Sequence, residues 1–318
     1  MWNQMTVETT LKTIRKNDPL DDLHGWLVVD KPNGLGSTKV VEVIKKKTGI
    51  RKIGHSGTLD PDATGVLALA LGEATKTVRF IGNSLKTYRF TMRLGASTDT
   101  DDSSGKIINQ SPIRPETQVI KDAVKNFEGY TSQIPPKLSA IKVNGVRAYT
   151  LFHEKSQFEL SSRPIFIKSI RILKRINADE VTMEFTCGKG GYVRSLARDI
   201  GEMLGCYGHA HDIRRIACGP FRVKDSIGLK KLEAMSFLEL KDNILPTQTA
   251  LKEFPNFRCN TQDLERLLNG GSFNIKGQSK CNYDLAWIKF KNIPLTFGKV
   301  KDGTFFPTRV LNILKRHK

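Results

Sequence analysis

The order of apolar and polar residues predicts two strands in the first third of the chain. Residues 87–95, TYRFTMRLG, alternate strictly between apolar and polar side chains. The alternation places four apolar residues on one face: Tyr88, Phe90, Met92 and Leu94. Because successive side chains of a strand point to opposite faces, this pattern predicts a half-buried strand. Residues 25–37, GWLVVDKPNGLGS, predict a buried strand because a β-branched run there ends in turn residues.

Two segments have the period of an α-helix. In residues 38–49 the apolar side chains fall on one face, lysines come at the end, and Gly49 predicts the stop. Ser37 is placed to cap the start of this helix. Residues 116–129 predict an amphipathic helix. Four of its apolar side chains are expected to face inward: Val119, Ile120, Val124 and Phe127.

The rest of the pattern contains more strands than helices. PIFIKSIRIL (164–173) and VTMEFTCG (181–188) predict strands, and residues 190–205 predict a turn leading into a helix that Gly205 ends. Residues 64–72, TGVLALALG, are apolar throughout and fit either a buried strand or a buried helix. Since strands and helices do not alternate one for one, we predict an α+β fold with a mixed, mostly antiparallel central sheet.

Residues 131–163 interrupt this rhythm, because they contain prolines, aromatic residues and bases but no long periodic element. Asn144-Gly145 is a hairpin signal within them. Residues 136–176 hold nine Lys or Arg and two acids, and the whole chain has a net charge of +19. Such a surplus favours a polyanion as partner, although a basic surface alone is the plainer explanation.

The composition narrows the class of protein. No apolar run approaches the roughly 18–20 residues of a membrane span. Residues 1–24 lack the apolar core of a signal peptide, and we interpret them as a loosely ordered leader of a cytoplasmic protein. The five cysteines contain no Cys-x-x-Cys pair, and the His-x-His at 209–211 has no third ligand nearby, so no metal site is indicated.

A boundary is predicted near 245–255, and the chain beyond it is rich in strand signals. About 65 residues is small for an independent core. We therefore expect this part to pack on the main domain. The alternative is a flexible RNA-binding appendage.

The stretch GHSGTLDPDATGVL (54–67) is the strongest candidate for chemistry. It lacks the lysine of a phosphate-binding P-loop and the Gly-x-Gly-x-x-Gly of a dinucleotide site. Asp-Pro commonly starts a turn, so a plain turn before a buried segment is one interpretation. The other is a rigid loop that aims a nucleophilic carboxylate, with Arg194 as a candidate counter-charge. From the residues alone, the choice between Asp60 and Asp62 stays open.

Five blocks of the chain, in order, resemble the TruB-type tRNA pseudouridine synthases. The blocks include GWLVVDKPNGLGS, GHSGTLDPDATGVLALALGEATK, KTYRF, QIPPKLSAIKVNGVRAYTL and CGKGGYVRSLARDIGEMLG. The resemblance covers about residues 25–245 and implies the pseudouridine synthase fold over 25–250, with an RNA-gripping thumb at about 131–163. Residues 251–318 would then form a small β-rich C-terminal domain.

The resemblance also implies roles for individual residues. Asp60 matches the family's nucleophile, Tyr88 the tyrosine that stacks on the target base, and Arg194 the arginine that pairs with the nucleophile. His55 matches the histidine that takes the place of the flipped base. Three further residues match positions near the pocket or supporting it: Lys31, Lys76 and Tyr192. Three residues of the thumb are expected to bind RNA or line the pocket: Lys137, Lys142 and Arg147.

The sequence departs from the family pattern at two points. Lys137-Leu138 stands where an apolar residue and then an aromatic residue are more frequent, and Gly191 stands where threonine is common. The C-terminal part is similar to the short bacterial tail and lacks the longer domain of relatives that work with guide RNA. The resemblance therefore favours an enzyme that acts alone.

The implied activity is isomerisation of uridine 55 in the T stem-loop of tRNA, by base flipping and attack of an aspartate. The reaction needs no metal or redox cofactor. The family suggests a monomer without an obligate protein partner and without membrane attachment. Two alternatives remain: a catalytic subunit that depends on a guide RNA, and a non-catalytic tRNA-folding factor.

Overall fold

The computed structural model describes residues 23–275, 277 and 280–314. The predicted leader, except for its last two residues, lies outside this part of the chain. Eight α-helices occur within the described residues: α1 (Ser37–Thr48), α2 (Val78–Asn83), α3 (Thr117–Lys125), α4 (Ala148–His153), α5 (Val193–Met203), α6 (Leu229–Ala234), α7 (Phe237–Asp242) and α8 (Thr261–Leu268). Among these residues, no helix is both long and apolar enough to cross a bilayer.

The strands follow one another along the chain with few helices between them. In chain order they are β1 (Gly25–Lys31), β2 (Ile53–His55), β3 (Thr64–Leu71), β4 (Lys86–Leu94), β5 (Ala96–Thr98), β6 (Ile107–Gln110), β7 (Gly129–Gln133), β8 (Lys142–Val143), β9 (Val146–Arg147), β10 (Arg163–Arg175), β11 (Glu180–Cys187), β12 (Gly208–Cys218), β13 (Phe221–Arg222), β14 (Ile227–Gly228), β15 (Asn256–Arg258), β16 (Phe273–Asn274), β17 (Tyr283–Phe290), β18 (Ile293–Lys301) and β19 (Thr304–Val310).

Ten strands form the main sheet, in the order β14-β1-β3-β12-β4-β11-β10-β7, with β2 beside β3 and β13 beside β12. The pairs β1–β14 and β3–β12 are parallel, and the other described pairs of this sheet are antiparallel. The prediction of an α+β fold with a mixed, mostly antiparallel sheet is therefore confirmed.

Strand β3 resolves the ambiguity of the apolar run. It lies inside the sheet between β1 and β12, and both of its faces are covered. Leu67, Leu69 and Leu71 pack in one apolar cluster with residues of α1. The alternate residues Val66, Ala68 and Ala70 pack in another with Trp26. A strand buried on both faces is apolar throughout, which is why its sequence shows no alternation.

The predicted alternation of β4 is confirmed, because its four apolar side chains are buried and Arg89 and Arg93 are exposed. The helix around 116–129 is shorter than predicted. Ile120 and Val124 are buried there, but the inward orientation of Val119 is wrong because that side chain is 51% exposed. Consecutive residues of an α-helix lie about 100° apart around its axis, so the face that buries Ile120, Ala123 and Val124 leaves Val119 at its exposed side.

Helix α1 ends at Gly49 as predicted, with a left-handed backbone (φ 68°) and an N–H that donates to Lys45. The predicted cap at Ser37 is wrong. Ser37 is the first helical residue, and its hydroxyl donates to the Leu59 carbonyl (3.0 Å) and accepts from the Leu59 N–H (2.8 Å). The hydroxyl therefore ties α1 to the loop that carries Asp60.

A second sheet, in the order β15-β17-β18-β19-β16, follows the 3-10 turn Thr247–Leu251. It packs on the main domain, because Phe80 of α2 lies edge-on to Phe297 of β18 with 5.1 Å between centroids and Lys76 donates to the Val310 carbonyl of β19 (2.8 Å). The indole N–H of Trp287 donates to the carbonyls of Leu251 (3.0 Å) and Phe254 (3.2 Å). Leu251, Trp287, Phe297 and Leu311 form a buried cluster there. The domain limits 25–250 and 251–318 stay predictions.

Candidate active site

A cleft of about 570 Å³ opens beside the main sheet, within the range of pockets that hold small ligands. Its walls come from segments far apart in the sequence: the loop 55–60, helix α2, the loop 188–192 and the start of α5. Thumb residues Ser139 and Ala140 close one side. Seven of these lining residues have a chemical role below: His55, Asp60, Arg79, Tyr88, Tyr192, Arg194 and Arg215.

Arg194 and Asp60 form an ion pair in this cleft, with 3.0 Å between Nη2 and Oδ2. The arginine side chain is 4% exposed and the aspartate side chain 49%, so the carboxylate faces the open space while its counter-charge is buried. Asp62 is exposed, lies outside the lining of this cleft, and has no ion pair in the described part of the chain. The geometry thus separates the two acids between which the residues alone left the choice open.

Three further groups hold the Arg194 guanidinium. Nη1 donates to the Thr100 carbonyl (3.1 Å) and lies 3.5 Å from Oδ2 of Asp102, and Nη2 donates to the Leu138 carbonyl (2.9 Å). These contacts fix the plane of the guanidinium before any ligand arrives. Asp102 was missed as a site residue. It was visible only as one acid of the loop 97–106, and nothing in the local pattern distinguished it.

Lys31 does not line the cleft. It supports the Asp60 loop from the protein interior. Its side chain is fully buried, and Nζ donates to the carbonyls of Pro32 (2.9 Å), Leu35 (2.5 Å) and Pro61 (2.8 Å). Burial lowers the pKa of Lys31 to about 8, against the opposing effect of Asp60. Because Pro61 follows Asp60 directly, these hydrogen bonds position the carboxylate.

We expect Lys31→Met to lower the free energy of unfolding by about 2–4 kcal/mol, because it leaves buried carbonyl acceptors without a donor. Lys39→Met is the control, since Lys39 lies on the exposed face of α1 and its pair with Glu42 is solvated. It should change stability by less than about 0.5 kcal/mol. Urea denaturation measures both. Equal stability of the two variants would contradict the supporting role of Lys31.

Arg215 is a second residue that sequence reasoning missed. It is fully buried, and it donates from Nε to the Val66 carbonyl (2.7 Å) and from Nη2 to the Gly57 carbonyl (3.1 Å). No carboxylate pairs with it among the described residues. Gly65 is needed beside it, because a Cβ there would lie 2.2 Å from the Arg215 carbonyl oxygen. Arg215 thereby shapes the loop that leads to Asp60.

Tyr88 and His55 line the cleft near Arg215. Tyr88 lies opposite Arg215 in the sheet, and its ring stacks on Phe185 with 6.3 Å between centroids. Burial raises the pKa of Tyr88, so the phenol stays protonated at neutral pH. Burial and the Arg215 charge lower the pKa of His55 from 6.5, which keeps the imidazole neutral at pH 7. Nδ1 of this ring is buried and has no hydrogen-bond partner among the described residues.

Tyr192 directly precedes α5. Its backbone N–H donates to Oε1 of Gln133 (2.9 Å), and its carbonyl accepts from Nε2 of the same side chain (3.0 Å). Gly191 beside it explains one departure from the family pattern. A Cβ at this position would lie 2.6 Å from Sγ of Cys187, so the cysteine occupies the space that a threonine would need.

Besides Lys31, four predicted site residues lie outside the cleft lining. Lys76 contacts the C-terminal sheet instead, because Nζ donates to Glu73 (2.6 Å) and to the Val310 carbonyl (2.8 Å). Lys137, Lys142 and Arg147 are exposed on the thumb. The hairpin predicted at Asn144-Gly145 is present between β8 and β9, with φ of 50° and 86° at the two turn residues. Arg147 donates to the Ala140 carbonyl at the edge of the cleft.

Solved structures share the overall fold. The Cbf5 chain of a Cbf5-Nop10-Gar1 complex superposes with a TM-score of 0.68 at 24% identity, over 94% of this chain and 84% of that one. A chain from an H/ACA RNP bound to a substrate RNA containing 2′-deoxyuridine gives 0.67 at 23% identity, over 96% and 85%. Both comparisons show a shared fold, in which a large mixed sheet is followed by a β-rich C-terminal part.

Sequence comparison then gives the family. The model of the TruB family pseudouridylate synthase N-terminal domain matches residues 45–193, and that of the tRNA pseudouridylate synthase B C-terminal domain matches residues 194–252. The tRNA pseudouridine synthase B of Ruegeria pomeroyi is 46% identical over 91% of this chain and 96% of its own length. That of Roseobacter denitrificans is 44% identical over 92% and 96%. The chain belongs to the TruB family, and its enzymatic class is isomerase.

Proposed function

We propose that this protein isomerises uridine 55 in the T stem-loop of tRNA to pseudouridine, with Asp60 as the nucleophile. The observation that carries the proposal is the Asp60–Arg194 pair, which presents a carboxylate to a cleft of nucleotide size. The relatives reported above are named as tRNA pseudouridine synthases, which supports tRNA as the substrate. We further propose a cytoplasmic monomer that needs no obligate protein partner and no cofactor.

The target uridine must leave the folded loop before reaction, at a cost of a few kcal/mol. Stacking of the base on Tyr88 offsets about 1–3 kcal/mol of this cost. In this proposal His55, neutral and with an unpartnered nitrogen, takes the place of the extruded base in the loop.

The reaction then exchanges one bond to the sugar for another. An oxygen of Asp60 forms a covalent bond either to C1′ of the ribose or to C6 of the base, and the bond between C1′ and N1 breaks. The uracil turns within the cleft, and C5 bonds to C1′. The hydrogen on C5 is lost to solvent, N1 gains a proton, and the carboxylate is released, so the product is an isomer of the substrate. Arg194 keeps its contacts to Asp60 and to the thumb carbonyl of Leu138 while the base turns.

The thumb at 131–163 is proposed to hold the RNA backbone. Lys137, Lys142 and Arg147 are exposed on it, and its base contributes Ser139 and Ala140 to the cleft. Lysine and arginine bind phosphates without reading the sequence. Lys76 is not included in this RNA-binding set, because its ammonium is committed to Glu73 and Val310.

The proposal is tested with a T-arm transcript labelled with tritium at C5 of uridine. We expect the purified chain, with no added RNA or protein, to release the label from one uridine per transcript. A transcript with cytidine at position 55 should release none. Release from the cytidine transcript would contradict uridine 55 as the modified nucleotide. Release from neither transcript would contradict an enzyme that acts alone. A requirement for an added RNA would favour the guide-dependent alternative.

A further inference from the structure

Arg79 is a cleft residue that is held by the C-terminal sheet. It lies on α2, lines the cleft, and is exposed. Its Cζ lies 4.8 Å from the ring centroid of Phe80 and 5.2 Å from that of Phe297. Phe297 belongs to β18 and is fully buried. The main domain and the C-terminal sheet therefore meet at a cation–π contact, and its cation, Arg79, lines the cleft proposed to bind the substrate.

A polar clamp holds the start of α2 against the same sheet. Glu73 accepts from Lys76 Nζ (2.6 Å) and from the Asn312 backbone N–H (2.7 Å), and Lys76 also donates to the Val310 carbonyl. Phe80 packs edge-on against Phe297, with 5.1 Å between centroids. The position of Arg79 relative to the cleft thus depends on the docking of β18 and β19.

The guanidinium of Arg79 is available to a ligand. No carboxylate pairs with it in the described ranges, and no hydrogen bond occupies it there. An arginine stacked by its face keeps its N–H edge free for a planar or tetrahedral anion. Three other cations of the cleft are committed to the protein: Arg194 to the groups described above, Arg215 to two carbonyls, and Lys86 to the carbonyls of Gly82 (2.8 Å) and Ser84 (3.0 Å). Lys189 also lines the cleft and is exposed, but unlike Arg79 it has no aromatic contact in the described part of the chain that would fix its position.

We propose that Arg79 binds a backbone phosphate of the RNA strand that enters the cleft, and that Phe297 holds its guanidinium in place. The inference rests on the proposed RNA substrate. It gives the C-terminal sheet a role in substrate binding that acts through a residue of the main domain.

The first test compares Arg79→Ala with Arg258→Ala, an exposed arginine on β15 that is remote from the cleft lining. We expect Arg79→Ala to raise KM for the T-arm transcript about tenfold, as for loss of a charged hydrogen bond, with kcat within about twofold. The slope of log affinity against log salt should fall by about 0.7–0.9, the value of one phosphate contact. Arg258→Ala should leave KM and kcat unchanged.

The second test asks whether Phe297 positions the Arg79 guanidinium or only stabilises the C-terminal sheet. Phe297→Leu removes the ring under Arg79. Phe305→Leu makes the same change at an equally buried residue of β19 that belongs to a different apolar cluster. We expect Phe297→Leu to raise KM several-fold and Phe305→Leu to leave it unchanged. In the double variant with Arg79→Ala, Phe297→Leu should add nothing further.

Three results would overturn the inference. The first is a wild-type KM and salt slope in Arg79→Ala, even with a lowered melting temperature. The second is an equal rise of KM in Phe297→Leu and Phe305→Leu. The third is full additivity in the double variant. Failure of the wild-type chain to release tritium would instead count against the proposed function, so the two failures are distinguishable.

Discussion

Asp60→Asn is expected to lower kcat for tritium release by at least about 10⁴-fold, because an amide cannot form the covalent bond that a carboxylate forms. The side chains are nearly isosteric, so the loop and its backbone contacts should persist. Affinity for the T-arm transcript, measured by filter binding, should stay within about threefold of wild type. A loss of this kind, in rate and not in binding, is the signature of a nucleophile.

Asp62→Asn is the matched control. It makes the same change two residues later in the same loop, on a side chain that is exposed and without an ion pair among the described residues. We expect kcat within about threefold of wild type. An active Asp60→Asn with an inactive Asp62→Asn would transfer the role to Asp62. Full biological activity of Asp60→Asn would favour the non-catalytic folding factor.

The second large effect is expected for Arg194→Met, which should lower kcat about 10²–10³-fold while changing RNA affinity less than about threefold. The substitution removes the counter-charge from Asp60 and leaves Asp102 and two carbonyls without their donor. Because the Asp60 side chain is 49% exposed and stays solvated, the loss of stability should come mainly from the buried acceptors left without a donor, at about 1–3 kcal/mol. Rates must therefore be measured where circular dichroism shows the variant to be folded. Arg194→Lys should recover part of the rate, because it restores the charge without the planar fork.

Arg198→Met controls for damage to the helix. Arg198 lies one turn further along α5 and pairs with Asp101 (2.7 Å) and Asp199 (2.8 Å), away from the cleft. Its loss should destabilise the fold while kcat stays within about fivefold of wild type. If the two variants lost rate equally, or if Arg194→Met lost affinity as much as rate, the ion pair would have no specific part in the chemistry.

Much of the fold could be predicted because burial of one face of a strand or helix sets the order of apolar and polar residues along that segment. Strand β4 is covered on one face, so its sequence alternates, and α5 is preceded by a turn and followed by Gly205, which has a left-handed backbone. The Asn-Gly hairpin of the thumb follows from the positive φ that its turn requires. Strand β3 could not be distinguished from a helix because it is covered on both faces, so its sequence shows no alternation of apolar and polar residues.

The candidate site was predictable only in part. Resemblance supplied Asp60, Tyr88 and Arg194, and the structure brings all three to one cleft. It also matched Lys31 and Lys76 to positions near the pocket or supporting it. The ammonium of Lys31 binds carbonyls under the Asp60 loop, and that of Lys76 binds a carbonyl at the domain junction. The residue type does not reveal whether a lysine binds buried carbonyls or a phosphate. The difference lies in what surrounds the ammonium.

The sequence by itself determined the α+β class, the strand and helix periods, the basic thumb and a rigid Asp-Pro loop, since each depends on neighbours along the chain. Only the tertiary structure decided that Asp60, and not Asp62, faces Arg194. It also decided that Arg215 is buried beside Tyr88 and that Arg79 rests on the C-terminal sheet. For Arg215 the physical reason is strand register, because β12 pairs with both β3 and β4. For Asp60 with Arg194 and for Arg79 with Phe297 it is the packing of segments far apart in the sequence, which no local pattern connects.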